Sequence, residues 1–264
     1  MESFTAKQLH SPFAPVAFYR TNTKPEGAIQ PKAGGFGCVM AYFAQAAAKG
    51  KTSVFDAETV LCPGAHAGFG FGNNYRDFIP GYPEFYPAFF SFGVESAAEP
   101  EKYRQFVNYM PKDRQEFFLK GERIYKTPED SEKVHVDKTY YTSPEKYACL
   151  TPLSELPEGT LPLTVTFTVK PVDMNVLVHF LCMLHVSCKI APGNTSACQA
   201  LASAVLEEKN TAVLGLTDLA GRMPIRGLIP DEYMTFTVPG EVYQKMEKEA
   251  GHSVFQGVMW QAYK

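Results

Sequence analysis

The sequence predicts an α/β (α+β) fold, a mixed sheet with helices, in which two related strand–helix–strand–strand–helix halves form one compact unit. Three observations carry this. Leu163, Val165, Phe167 and Val169 alternate with Thr164, Thr166 and Thr168, the period of two expected of a half-buried strand. An Ala-rich stretch from Cys38 to Lys49 is closed by Gly50, as helices often are. The order of elements in the first half then recurs in the second, which reads as an internal duplication.

In the first half, Val16 to Tyr19 forms a short strand after Pro15, and Gly34, Gly35 and Gly37 lead into the helix that Cys38 opens. Val54 to Leu61 contains a strand, Ala88 to Phe92 a second, and Glu99 to Met110 a polar helix. In the second half, Pro171 opens an apolar helix reaching about Val186. Ser196 with Gln199 resembles a capping box for a helix reaching about Lys209. Ala212 to Leu216 and Met234 to Val238 read as strands, and Gly240 to Ala250 as an amphipathic helix. Side by side, Cys38 matches Cys198, Thr52-Ser53-Val54 matches Thr211-Ala212-Val213, and 88–110 matches 234–250. The halves are residues 1–111 and 160–264. The connector, 112–159, is rich in charge and Pro and is anchored by Tyr125, Tyr140, Tyr141, Tyr147 and Leu150. The aromatic loop from Gly68 to Pro87 either lines a pocket or caps a core. Trp260 and Tyr263 are expected to dock on the body or on a second subunit.

Composition narrows the function. With 25 Lys+Arg against 28 Asp+Glu in 264 residues, no concentrated basic surface is expected, so nucleic acid and anionic membranes are poor partners. The longest apolar stretch, Met174 to Val186, contains Asn175 and two histidines and is too short to span a bilayer. The N-terminus does not read as a secretion signal, and 6 cysteines are too few for a disulfide scaffold. A soluble cytoplasmic protein is the expectation.

Several short segments recur in a familiar order. They are Pro15-Val16-Ala17-Phe18, Cys38 opening the Ala-rich helix, Cys62-Pro63-Gly64-Ala65 followed by Gly68-Phe69-Gly70, and Thr151-Pro152-Leu153. Val169-Lys170-Pro171, Ala197-Cys198, Leu228-Ile229-Pro230 and Phe236-Thr237-Val238-Pro239 complete the series. Together they resemble the uncharacterised prokaryotic family known as domain of unknown function 169, over nearly the whole chain. The resemblance implies a cytoplasmic protein common in anaerobic bacteria and archaea, and it transfers no mechanism.

The chemistry-bearing candidates are cysteines first. If the halves pack about a pseudo-twofold axis, Cys38 and Cys198 could approach each other at helix starts, where free N–H groups favour a thiolate. Cys62 falls near the first of these, and His66 is a candidate fourth ligand. Three thiolates with an open position suit an iron–sulfur cluster, or Zn with a fourth ligand. Cysteine is equally a small buried hydrophobe, so packing stands beside that reading. His179, Cys182, His185 and Cys188 are spaced by three, which spirals around a helix instead of converging, so no site is assigned there. Gly34, Gly35 and Gly37 could cradle an anion, though without the spacing of a nucleotide motif. Arg76, Arg222 and Arg226 could face an acidic ligand or pair with Asp77 and Asp218.

Two functional readings follow. One is a cysteine-ligated metal or iron–sulfur protein, an electron carrier or accessory with a redox partner in anaerobic metabolism. The other is a non-enzymatic small-molecule (anion) binding module using the cleft between the halves.

Overall fold

A computed structural model describes residues 3–33, 38–60, 62–110, 112–191, 197–216 and 218–263. The chain divides into two compact units, one of Met1–Phe71 with Tyr141–Lys264 and one of Gly72–Tyr140. This division differs from the expected 1–111, 112–159 and 160–264, because the end of the supposed connector returns to the sheet.

The larger unit holds a seven-stranded mixed sheet. Its strands are β1 (Val16–Thr21), β2 (Ser53–Phe55), β3 (Tyr147–Pro152), β4 (Thr164–Val169), β5 (Ser187–Ile190), β6 (Thr211–Gly215) and β7 (Met234–Pro239). They lie in the order β2-β3-β1-β4-β7-β6-β5, antiparallel except for β5 and β6. The arrangement reads the same from its middle outward. β1 and β4 pair about Ala17 and Val165, both fully buried. β3 flanks β1 as β7 flanks β4, with Val16 opposite Pro152 and Thr164 opposite Pro239. β2 and β6 follow, and beyond them a parallel bridge from Ile29 to Ser53 answers the parallel pairing of β5 with β6. Hydrogen bonds repeat too: Leu153 N–H donates to the Pro15 carbonyl and Gly240 N–H to the Leu163 carbonyl, both at 2.8 Å.

This symmetry lies in strand order and register, and it corrects two matches made from the sequence. Residues 88–92 are not a strand; Phe85–Phe90 is a helix, and the strand opposite β7 in the order is β3. Counting back from Pro152 and Pro239, Ser53 opposite Leu150 corresponds to Val213 opposite Thr237. The sequence match set Ser53 against Ala212, a one-residue slip that places the side chain on the other face.

Helices cover both faces. Helix Val39–Lys49 packs Met40, Phe43 and Ala47 with Phe18, Phe55 and Leu150, and Ala197, Cys198 and Leu201 belong to the same apolar cluster. Helices Pro171–Met183 and Gly240–Glu249 cover Val165, Phe167 and Phe236 on the opposite face. β4 is therefore buried on both faces, not half-buried as its alternation suggested. Its threonines tolerate this because Thr166 shares a 3.0 Å hydrogen bond with Thr237 and Thr164 donates to the Leu201 carbonyl at 2.5 Å. Gly50 closes its helix in the left-handed conformation, as expected. The predicted helix to Lys209 is instead a 3-10 turn, Gln199–Leu201, and a short helix, Ser203–Leu206, parted by Ala202 (φ −145°, ψ −80°); Ser196 lies outside the described residues. Helix Pro171–Met183 stops at His185, whose φ is +54°, so Cys188 sits on β5 and not on the helix. Trp260 is buried, with its ring centroid 5.0 Å from that of His10.

The Gly72–Tyr140 unit contains helices Phe85–Phe90, Pro100–Asn108, Lys112–Lys120 and Pro128–His135. Its interior is aromatic, with Phe85 against Phe118 and Tyr82 against Phe106, each at 4.5 Å. Of the aromatics that read as a strand at 88–92, Phe90 is buried here on a helix, Phe89 packs against Phe118, and Phe92 lies past the helix and is exposed. Among the described residues, no helix is long and apolar enough to cross a membrane.

A Cβ on Gly240 would lie 1.8 Å from the Pro162 carbonyl oxygen. Gly240→Ala is therefore expected to destabilise the protein by about 2–3 kcal/mol or more, as overpacking against backbone does. Chemical denaturation checks this; an unchanged midpoint contradicts the close approach.

Candidate metal centre

Four helix starts on one face of the sheet carry the site. Cys38 is the N-cap residue of Val39–Lys49, Cys62 of Pro63–Gly68, Cys198 of the Gln199–Leu201 turn and Asp218 of Leu219–Arg222. Packing brings their elements together. Gly68 approaches so closely that a Cβ there would sit 3.4 Å from the Cys198 carbonyl oxygen and 3.2 Å from Gln199 Cα. A Cβ on Gly221 would lie 2.4 Å from the Ala197 Cβ and 3.2 Å from Asp218 Oδ2. Glycine at these two places lets both helices press against Ala197–Gln199. Cys38 and Cys62 pack on the apolar cluster to which Cys198 belongs.

The electrostatics follow from this packing. Burial pushes the Cys38 thiol up to about 12, with the neighbouring Cys62 and then Asp218 adding to it, while the Met40 and Ala41 amides pull the other way. Burial also raises the Cys62 thiol, against the Ala65 and Gly64 amides, with Asp218 raising it further. The Cys198 thiol is pushed well above its ordinary value by burial, and then by Cys62, Cys38 and Asp218. Burial raises the Asp218 carboxyl, although the Gly221 and Ala220 amides support its charged form. Asp218 Oδ1 accepts the Ala220 N–H at 2.9 Å. The amides face the three sulfurs without forming cap hydrogen bonds. Burial is the largest cause at all four groups; Cys62 and Asp218 add to the rise at Cys38, Asp218 to that at Cys62, and Cys62, Cys38 and Asp218 to that at Cys198.

The sequence reading offered Cys38, Cys62 and Cys198 as ligands with His66 as a fourth, and it did not weigh Asp218 beside them, although that carboxyl adds to the rise of all three thiols. The available signal was an Asp directly before Leu219-Ala220-Gly221, where an N-cap falls just after a strand. His66 lies within helix Pro63–Gly68 with its ring 5.6 Å from that of Phe71. Among the described residues, no group of three or more His, Cys, Asp or Glu could hold a metal ion.

The anion candidates are placed differently. Gly34, Gly35 and Gly37 lie outside the described residues. Arg222 clamps a loop, its Nε donating to the Leu216 carbonyl at 2.8 Å and Nη1 to that of Asp231 at 3.1 Å. Arg226 pairs with Asp231 at 3.1 Å, and Arg76, in the other unit, with Asp137 at 3.8 Å. These partners replace the expected Asp218 and Asp77. A cavity of about 380 Å³ lies elsewhere in the larger unit, lined by Arg20, Asp56, Glu58, Phe71, Glu145 and Lys146 among others. Arg20 donates to the carbonyls of Phe69 and Glu145 and lies 4.3 Å over the Phe71 ring.

The thiol environment makes two checkable statements. In the metal-free protein at pH 8, an exposed-thiol reagent is expected to modify Cys182 and Cys188 first, the partly covered Cys38 and Cys62 more slowly, and the buried Cys149 and Cys198 only on unfolding. In the unfolded chain these thiols ionise near pH ~8.5, whereas folded Cys38 does so at about 12. The folded state holds its proton over that interval, so its stability is full below the lower value and falls as pH rises through the interval. Denaturant midpoints from pH 7 to 10.5 are expected to decline less steeply in Cys38→Ala than in the wild type.

The model of the family DUF169, described as an uncharacterised ArCR, matches residues 6–249. No curated protein and no solved structure matches the chain.

Proposed function

The chain belongs to the DUF169 family, and we propose that it is a cysteine-ligated metal or iron–sulfur protein. Cys38, Cys62 and Cys198 are the ligands, and the protein acts as an electron carrier or accessory, with a redox partner, in anaerobic prokaryotic metabolism. The observation that supports this is that three thiols drawn from distant parts of the chain meet at one apolar cluster, where Cys62 opposes ionisation of Cys38 and both oppose ionisation of Cys198. A bound cation reverses that, because it stabilises all the thiolates at once. The residues around them suit a redox centre: amides of Met40, Ala41, Gly64 and Ala65 face the sulfurs, and the apolar cluster keeps water away. A cytoplasmic compartment would keep the thiols reduced.

The second reading, a small-molecule (anion) binding module, draws support from the Arg20 cavity. The buried Arg20 Nε has no hydrogen-bond partner among the described residues. It needs none of the cysteines.

The test is purification without oxygen, an absorption spectrum from 300 to 600 nm, and counts of iron, zinc and acid-labile sulfide per chain. Stoichiometric iron with sulfide, or zinc alone, is expected, falling at least about fivefold in Cys38→Ala, Cys62→Ala and Cys198→Ala. Each ligating thiol releases a proton, so loading is expected to strengthen as pH rises from 6 to 8. A colourless, metal-free wild-type protein overturns the proposal and leaves the cavity as the site to probe with small anions.

A further inference from the structure

We propose that the cavity beside Arg20 takes a small zwitterion, a molecule carrying a carboxylate and an ammonium group close together, which is the chemistry of a free amino acid. The assignment rests on the cavity reading above, makes its ligand specific, and needs none of the cysteines.

Three segments of the larger unit form the walls. They are the turn after β2 with Asp56 and Glu58, the pair Gly70 and Phe71, and residues 142–146, which lead toward β3. Arg20, on β1 opposite Ala148, ties two of these together through the Phe69 and Glu145 carbonyls. The Ser143 N–H donates to the Gly70 carbonyl at 3.1 Å. Gly70 has a φ of +85°, and a Cβ on it would lie 2.9 Å from the Tyr141 ring, so only glycine lets these segments close. The resulting space of about 380 Å³ falls within the range of roughly 300–1,000 Å³ usual for small-molecule sites.

The charges around it select the ligand. Arg20 commits its guanidinium to two carbonyls and the Phe71 ring, and Lys146 lies 5.1 Å over the Tyr147 ring. Among the described residues neither cation forms an ion pair, and the buried Arg20 Nε has no hydrogen-bond partner. A half-buried guanidinium without a counter-ion is what a carboxylate relieves. On the acidic side, Asp56 accepts from Thr59 and Gln30, and Glu145 from the Ser143 hydroxyl. The exposed Glu58 carboxylate has no partner among the described residues. Asp56 and Glu58 add, after Tyr147, to the rise at Lys146, so this side favours an ammonium group. Two cations and three carboxylates thus line one space. An anion alone would meet the carboxylates, and a cation alone would meet Arg20 and Lys146. A ligand bearing both charges answers both sets. Its carboxylate belongs on Arg20, its ammonium on Glu58, and the Phe71 ring supplies an apolar wall.

The experiment is a thermal-shift screen of the full chain against the standard L-amino acids. Calorimetric titration then follows with the best of them, its 2-hydroxy acid and its amide. The amino acid is expected to bind with a Kd of about 1 mM or tighter, and each analogue about tenfold more weakly or worse. Glu58→Gln, at an exposed position, is expected to fold as wild type and to weaken the amino acid about tenfold, leaving the hydroxy acid unchanged. Arg20→Lys keeps the charge and loses the fork, so it is expected to weaken amino acid and hydroxy acid alike. Should that variant fail to fold, Glu58→Gln decides alone. A hydroxy acid that binds as tightly as the amino acid overturns the zwitterion and leaves an anion cavity. An amide that binds as tightly overturns it in favour of a cation site, and an unchanged Kd in Glu58→Gln overturns the ammonium's place. Binding of no amino acid overturns the proposal and, where small anions also fail, the cavity reading with it, whatever the metal counts return.

Discussion

The antiparallel pairing of β1 with β4 is the constraint on which the rest depends. It is short, centred on Ala17 and Val165, and buried on both faces. Small and branched side chains at its centre let helices close over both sides. Because the pairing is antiparallel, a rotation about its midpoint exchanges the two strands and leaves the faces of the sheet unchanged. The equal hydrogen bonds from Leu153 to Pro15 and from Gly240 to Leu163 show this regularity reaching the strand ends.

That geometry explains why groups remote in the chain share one pocket. Helix starts lie at corresponding ends of strands, and residues that open helices on the same face are gathered toward the centre. Gly68 and Gly221 remove the side chains that would hold the neighbouring backbones apart. The outcome is electrostatically awkward for a protein without a cation, since burial pushes three thiols and a carboxyl toward their neutral forms and Asp218 adds to the rise at each thiol. Backbone amides offset part of that opposition. The proposed centre relieves the remainder, and this tension, more than any one distance, is the argument for it.

How far the fold was legible depended on whether local pattern and tertiary role agreed. Helix Val39–Lys49, with its Gly50 stop, was readable because Ala-rich propensity and the glycine's left-handed conformation are local properties. β4 and β7 were readable from their alternation. β3 was not: Tyr-Ala-Cys-Leu-Thr-Pro is buried along nearly its whole length and shows no clean period, so it passed for connector. Residues 88–92 failed in the opposite direction. Their aromatics have strand propensity, yet Phe89 and Phe90 sit on a helix, with Phe89 against Phe118.

For the site, the sequence alone determined the chemistry on offer: cysteines at helix starts, with amides available to them, and a chain lacking the basic excess that nucleic acids require. Those are properties of residue type and near neighbours, and they survive without knowledge of the fold. It also set Cys38 against Cys198, since like elements in like order suggest a shared axis. Only the tertiary structure decided that Asp218 adds to the rise of all three thiols and that Arg222 and Arg226 serve a loop held by Asp231. Partners across a sheet are fixed by strand register and by how closely helices approach, and neither quantity is encoded in any short window of the chain.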